Sequence, residues 1–464
     1  MTPLPVADRV GELAVSAELF TIPDGNHYLL YAPMTLGVAR VNGAVVRLLE
    51  RAKTDVEALN TLDPDVRGEL LASGILVASD QADRRMSFPA KADYDPQGLT
   101  LFLTTKCTLA CTYCYANGND RPKVMTWETA KAGLDWLFRH CEARKRDHVR
   151  LVFHGGGEVT TARTLLERCV AYARAEGAAR GITVATGAGL NGVMRGPLLD
   201  WIIDNIDGAT VSLDGLPEVH NAQRPLVNGQ DSFGVVAAAL RRMDEAHYNY
   251  AIRVTVTRLG LGKLVDSVAF MCRNFGARMI HLEPVYASGR AITNDLVSPD
   301  PHEFVRQFRA ARAVAHSFGR ELRYSGARFG TITNRFCQVS DDLLALTPEG
   351  FASSCYEVGE ADDPRADLFF YGRLDAASGR LDVDMKKIIK LRTLTVEHKS
   401  SCDTCFCKWS CAGDCSAKQA LSGNAWDAAD SPRCVINREL TLDQMRAYAD
   451  GELLLSPPPP ATVS

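Results

Sequence analysis

Three cysteines on one short loop constrain this chain more than anything else in it. They are Cys107, Cys111 and Cys114, within Thr105-Lys106-Cys107-Thr108-Leu109-Ala110-Cys111-Thr112-Tyr113-Cys114-Tyr115. A structural zinc ion takes four ligands, and no fourth Cys or His stands close by in sequence. A cubane [4Fe–4S] cluster fits the donor set better. Three thiolates hold three of its irons, and the fourth iron stays open to chemistry.

Composition sets the context for those thiols. At 464 residues the chain is long enough for about three domains. With 46% hydrophobic and 23% charged residues it is not a disordered polymer. No apolar run reaches the roughly 18 residues of a membrane span. Met1-Thr2-Pro3-Leu4-Pro5-Val6-Ala7-Asp8-Arg9 lacks the basic and apolar regions of a signal peptide. A cytoplasmic location with no membrane partner is therefore expected, where thiols stay reduced and clustered cysteines read as metal ligands. The net charge of −4 predicts no nucleic-acid partner.

From Leu99 onward, strand and helix patterns alternate, which predicts a parallel sheet built from right-handed βα units. Strands are expected at 101–104, 149–153, 182–185, 209–213, 251–255 and 279–282. Helices are expected at 126–139, 164–174, 197–205, 232–246 and 264–274. Before this block, His27-Tyr28-Leu29-Leu30-Tyr31, 36–41 and 75–77 read as short strands, with helices over 43–50 and 65–71. A polar linker over 79–85 separates the two blocks. Pro457-Pro458-Pro459-Pro460 reads as an extended tail.

Cys107 follows the first strand of the alternating block. The second strand runs into Phe153-His154-Gly155-Gly156-Gly157-Glu158, where glycines let the backbone approach a ligand closely. The C-x₃-C-x₂-C loop, with an aromatic residue before its third cysteine, resembles the signature of the radical S-adenosylmethionine (SAM) enzymes. The glycine run is similar to that family's Gly-Gly-Glu motif, although Val159 stands where proline is usual. The resemblance implies a partial (β/α)₆ barrel over 98–325, with SAM chelated at the open iron. Its reductive cleavage would yield a 5′-deoxyadenosyl radical that abstracts a hydrogen atom from a C–H bond. It further implies SAM contacts from Tyr113, Gly155, Gly156, Gly157 and Glu158, and from Thr186 and Asn191 after the third strand. Ser212, Asp214 and Arg224 would approach the SAM carboxylate and ribose, since a guanidinium bonds both oxygens of a carboxylate. Glu283-Pro284 and Gly289-Arg290-Ala291 also resemble the family.

Further along come Cys337-x₁₂-Gly350-x₄-Cys355, then Cys402-x₂-Cys405-x₅-Cys411-x₃-Cys415, and Cys434. This resembles the seven-cysteine pattern of the SPASM domain, placed at 330–445. The resemblance implies two auxiliary [4Fe–4S] clusters, making three in all. One would use Cys337, Cys355 and Cys415; the other would use Cys402, Cys405, Cys411 and Cys434. Cys407 is extra to the pattern and is the candidate fourth group for the first. Cys141, Cys169 and Cys272 lie in helical patterns and read as core thiols.

Enzymes of this kind mostly modify peptides or proteins. Residues 1–92 are similar to a small winged-helix-like domain that holds a leader peptide by strand addition. The expected function is oxidative crosslinking (thioether, C–C or C–O) of a ribosomal precursor peptide, with ferredoxin or flavodoxin as the low-potential electron donor. Three alternatives stay open. Epimerisation would need a hydrogen donor such as Tyr356 or Cys407. A sulfatase-maturase-like activity would place an Asp after the second SPASM cysteine, where this chain has Tyr356. A non-catalytic Fe–S scaffold would have no use for Gly156, Glu158 and Arg224.

Overall fold

The computed structural model describes residues 13–82, 85–427 and 431–453; the proline tail lies outside them. The chain opens with β1 (Leu13–Val15), β2 (Phe20–Asp24), β3 (His27–Ala32) and β4 (Gly37–Val41), and β5 (Leu76–Ala78) follows two helices. β2, β3 and β4 form an antiparallel sheet in that order, and β1 pairs with β5. The helices start where side chains satisfy free backbone N–H groups. Asn42 accepts from Ala44 and Val45 ahead of Gly43–Ala52, and Asp63 accepts from Asp65 and Val66 ahead of Pro64–Ala72. The period of two along β3 buries both faces of the sheet. Leu30 and Ala32 pack with Leu49, Leu59 and Ile75, while Leu29 and Tyr31 pack on Phe329 and Met445. β2 escaped the sequence reading because it carries Pro23, which only an edge strand tolerates.

The next strands are β6 (Gly98–Leu101), β7 (His148–Phe153), β8 (Thr183–Leu190), β9 (Gly208–Ser212), β10 (Tyr250–Val256), β11 (Met279–Pro284) and β12 (Glu321–Arg323). All pair in parallel and in sequence order. The helices between them are Trp127–Ala143, Arg163–Arg180, Pro197–Asn205, Phe233–Glu245, Leu264–Asn274 and Pro301–Ser317. Thr126 caps the first of these through Thr129 N, and the second ends on Gly181 in the left-handed region. This is an α/β partial barrel. Its seventh parallel strand, β12, lies beyond the six expected. Cys141, Cys169 and Cys272 are buried in the core between sheet and helices.

The sheet then continues through β13 (Ala345–Leu346), β14 (Phe351–Ser353), β15 (Phe370–Asp375) and β16 (Arg380–Val383). β13 lies parallel to β6, with Thr100 N donating to Leu344 O (2.9 Å) and Phe102 N to Leu346 O (3.0 Å). The last three strands add on antiparallel. One sheet therefore runs from the barrel into the cysteine-rich region. The final helix, Pro432–Ala449, is tied to helix Pro301–Ser317 by Arg309–Asp443 (2.8 Å) and to β2 by Arg446–Asp24 (2.8 Å). Among the described residues no helix is long and apolar enough to cross a membrane.

Candidate active site and metal centres

The cysteine loop leaves β6 through Thr104, which bridges Val124. Asn119 clamps its first ligand position from both sides: Cys107 N donates to Asn119 Oδ1 (2.7 Å), and Asn119 Nδ2 donates to Cys107 O (2.9 Å). Its middle is stitched to the segment before and after Arg224, with Ala110 N donating to Pro225 O (2.8 Å) and Thr112 N to Gln223 O (2.9 Å). Leu109 N and Asn191 Nδ2 point at the Cys107 sulfur (3.4 and 3.6 Å). Burial pushes the Cys107 thiol up to about 11 and the Cys111 thiol up to about 12. Both stay protonated at neutral pH unless a metal replaces the proton.

The glycine run turns sharply after β7, with φ of +86° at Gly155 and +69° at Gly156. Gly157 lies against the Lys106 carbonyl, in space that a Cβ would need, and Glu158 N donates to Lys106 O (2.7 Å). The glycines thus hold this turn against the cysteine loop. The Glu158 carboxylate is 2% exposed. Its Oε1 accepts from Thr160 N (3.2 Å) and Thr160 Oγ1 (2.8 Å), and its Oε2 from Asn191 N (2.6 Å). Burial pushes its carboxyl upward in spite of these bonds.

Asp214, after β9, is the polar hub of the site. Its Oδ2 accepts from Tyr113 Oη (2.5 Å), Gln223 Nε2 (2.7 Å) and Arg224 Nε (3.0 Å), and its Oδ1 from Thr255 N (3.0 Å). Arg224 closes helix Pro217–Gln223 and lies over the Tyr113 ring (5.2 Å). Its Nη1 is 3.9 Å from the Cys111 sulfur. Ser212 ends β9 and is half-buried, paired in register with Arg253. Asn119, Gln223 and Thr255 were missed from the sequence, since nothing in their spacing marks them.

Two expected residues lie elsewhere. β8 extends to Leu190, so Thr186 sits inside the strand instead of following it. Its N–H and Oγ1 both donate to Asp207 Oδ2 (2.7 and 2.9 Å), before β9 and away from the cysteine loop. The glycines at 187 and 189 permit that extension. Cys407 is buried (1% exposed) and lines the cavity of the second cysteine group. It is therefore not placed to complete the Cys337 group, nor to donate hydrogen at the barrel mouth. Tyr356 differs: its ring lies 5.2 Å from that of His154, and its hydroxyl accepts from Thr100 Oγ1 (3.4 Å). His154 Nδ1 is buried and has no hydrogen-bond partner among the described residues.

A cavity of about 180 Å³ is lined by Cys402, Cys405, Cys411 and Cys434, with Cys407, Lys408, Asp414 and Asn437. Asn437 Nδ2 donates to the Cys411 sulfur (3.1 Å). The Cys407 thiol donates to Asn437 O (3.8 Å); burial pushes Cys407 upward, while Cys407 beside it holds Cys405 below the usual thiol range. Four sulfurs around one cavity suit a cubane cluster. Cys337, Cys355 and Cys415 form a second gathering, each within electrostatic reach of another, with Glu357 close to all three. Arg433, beside Cys434, donates to both oxygens of Asp414 (2.8 and 3.1 Å) and to Glu283 Oε2 (3.0 Å) at the end of β11. Glu283 thus ties the barrel to the cysteine-rich region.

The parallel partial barrel, with three thiols, a glycine turn and a buried arginine at one end, has the arrangement of a radical SAM domain. Residues 101–268 match the model of the Radical SAM superfamily. A domain of this kind works with SAM and a [4Fe–4S] cluster, and the three-thiol loop fits such a cluster with one iron left open. The chain is similar to mycofactocin maturase MftC of Mycolicibacterium smegmatis, 28% identical over 359 residues, covering 73% of this chain and 83% of that protein. Its likeness to mycofactocin maturase MftC of Mycobacterium tuberculosis is 27% over 396 residues, covering 80% and 92%. Among solved structures, native anSMEcpe with bound AdoMet superposes with a TM-score of 0.60 at 17% identity, covering 77% of this chain and 100% of that one. Streptococcus suis SuiB gives 0.50 at 12% identity, covering 90% and 99%. These two likenesses show the fold.

Proposed function

We propose that this chain is a peptide maturase that oxidatively crosslinks a ribosomal precursor peptide, using SAM, one SAM-binding cluster and two auxiliary [4Fe–4S] clusters. The observation that carries the reading is the β6–β13 pairing. It sets the Cys355–Tyr356 turn against the barrel at His154, so a second cysteine centre borders the space in front of the radical site. Likeness to proteins named as maturases, over 73% and 80% of this chain, supports the same reading.

When bound, SAM and its cluster supply reductive cleavage and hydrogen-atom abstraction. The chain's own residues do the rest. Cys107, Cys111 and Cys114 hold the cluster. The backbone of Gly155–Gly157, with Glu158 and Asn191, receives the amino end of SAM. Arg224 and Ser212 face its carboxylate and ribose, while Asp214 and Tyr113 hold the Arg224 guanidinium in place. Cys337, Cys355 and Cys415 hold one auxiliary cluster, and Cys402, Cys405, Cys411 and Cys434 hold the other. Tyr356 borders the substrate.

The N-terminal sheet takes the leader peptide along the outer edge of β2, which has no partner strand among the described residues. A ferredoxin or flavodoxin in the cytoplasm supplies the electrons.

The test is an anaerobic assay of cluster-loaded protein with SAM, a low-potential reductant and any short peptide encoded beside the gene. Loss of two hydrogens from the peptide, with 5′-deoxyadenosine formed, is the expected result, and fragmentation then locates the bond. An unchanged mass that gains deuterium in heavy water would replace crosslinking with epimerisation. Absence of deoxyadenosine from fully loaded protein would refute the enzyme reading.

A further inference from the structure

Two cations lie between the two auxiliary cysteine groups, and neither has a carboxylate partner among the described residues. Arg328 donates from Nη1 to the carbonyl of Phe336 (2.9 Å), the residue before Cys337. From Nε and Nη2 it donates to the carbonyls of Ser410 (3.0 Å) and Cys411 (3.1 Å). One guanidinium thus joins the loop of the first group to that of the second, and its charge acts on both Cys337 and Cys411. Lys399 is fully buried, at 0% exposure. Its Nζ donates to Gly413 O (2.9 Å), Ser416 Oγ (3.3 Å) and Gln419 Oε1. Its charge reaches Cys402 and Cys411 on one side and Cys415 on the other.

A buried cation bonded only to neutral acceptors is costly unless an anion comes to it. The Asp414 charge acts on both, but Arg433 occupies both of its oxygens. The missing negative charge is what thiolate-held iron–sulfur clusters bring, since three thiolates in the first group and four in the second each outweigh the charge of the oxidised core. Adding an electron to a cluster increases that negative charge, and a fixed cation nearby favours the addition. Because each cation faces both groups, each acts on both clusters.

We infer that Arg328 and Lys399 form a cationic bridge shared by the two auxiliary cluster sites, which raises the reduction potential of both. They act as positioning and tuning residues and touch no substrate. The inference rests on the two-cluster reading above.

The experiment is an anaerobic potentiometric titration of the full-length, cluster-loaded protein, followed by electron paramagnetic resonance. It compares the wild type with the neutral variants Lys399→Met and Arg328→Gln and the charge-keeping variants Lys399→Arg and Arg328→Lys. Wild-type protein with about twelve irons per chain meets the two-cluster reading, and about four would end that reading before any variant is made. The expected result is that each neutral variant disfavours reduction of both auxiliary clusters at least tenfold, a fall of about 59 mV for one electron. The SAM-binding cluster stays unmoved, and the charge-keeping variants stay near wild type. No shift, or an equal shift of all three clusters, would overturn the proposal. Loss of auxiliary iron from the neutral variants alone would support it, because charge is then what the sites require. Loss from all four variants would overturn it, because packing is then what they require.

Discussion

Arg224 and Asp214 form a buried ion pair, Nε to Oδ2 at 3.0 Å, and the same guanidinium lies 3.9 Å from the Cys111 sulfur. One carboxylate therefore sets the position of the charge beside the middle cysteine of the loop. It does so from the end of β9, while Tyr113 of that loop donates to the same oxygen. The loop and the barrel are registered to each other through a single acid.

Asp214→Asn should accordingly cost more than a surface change. Removing one partner of a buried pair leaves an uncompensated charge, worth about 3–5 kcal/mol. A lower thermal midpoint and weaker SAM binding are expected. Adding Arg224→Met should recover part of the midpoint without restoring SAM affinity, as measured by calorimetry and equilibrium binding. Equal recovery of both would show that Arg224 does not contact SAM.

At Gly157 a methyl group would sit within 2.6 Å of the Thr105 carbonyl carbon. Gly157→Ala must push the glycine turn away from the cysteine loop, and both border the proposed SAM site. SAM binding should weaken about tenfold, roughly 1.4 kcal/mol, with the iron content kept. An unchanged dissociation constant would mean that the turn is not part of the site.

His220 gives the site an acid limit. Its Nδ1 accepts from Asp214 N (3.2 Å), so Nε2 carries the proton and donates to Ser232 Oγ (3.0 Å), which donates to Arg224 O (2.6 Å). Burial lowers the imidazole to about 4, against about 6.5 in an unfolded chain. Between those values the unfolded chain takes up a proton that the folded one refuses. Stability from this residue is thus complete above about pH 6.5 and is lost as pH falls towards 4, by up to about 1.4 kcal/mol per unit. Thermal midpoints from pH 7 to 4.5 should fall more steeply for wild type than for His220→Gln. Parallel curves would exclude the effect.

The cysteine-rich region separates ligands from bystanders. Cys411→Ala should lose about four irons, whereas Cys407→Ala should keep them all. Both should still cleave SAM, since the three-thiol loop is intact. Iron analysis and deoxyadenosine yield check this, and iron loss from Cys407→Ala would make Cys407 a ligand.

Much of the fold was legible because its signals are local. Helices Pro197–Asn205 and Leu264–Asn274 begin and end where their apolar periods predicted, and β7 and β11 depart by only one or two residues. The glycine-rich stretch after residue 182 was less legible. Glycine carries no side-chain pattern, so β8 ran further than its apolar residues suggested, taking Thr186 into the strand and leaving Asn191 at its end.

By itself the sequence determined the chemistry that depends on spacing: three thiols on one loop, glycines where the backbone must approach, and cysteines grouped closely enough to share a metal. Those relations span a few residues and are limited by the reach of the chain. Only the tertiary structure decided what depends on distant closures. It brought Asp214, Gln223 and Thr255 onto one carboxylate hub, laid β13 against β6, assigned Cys407 to the second group, and set Arg328 between loops more than seventy residues apart in the chain. Pairings of that kind come from packing whole elements together, and no local pattern records them.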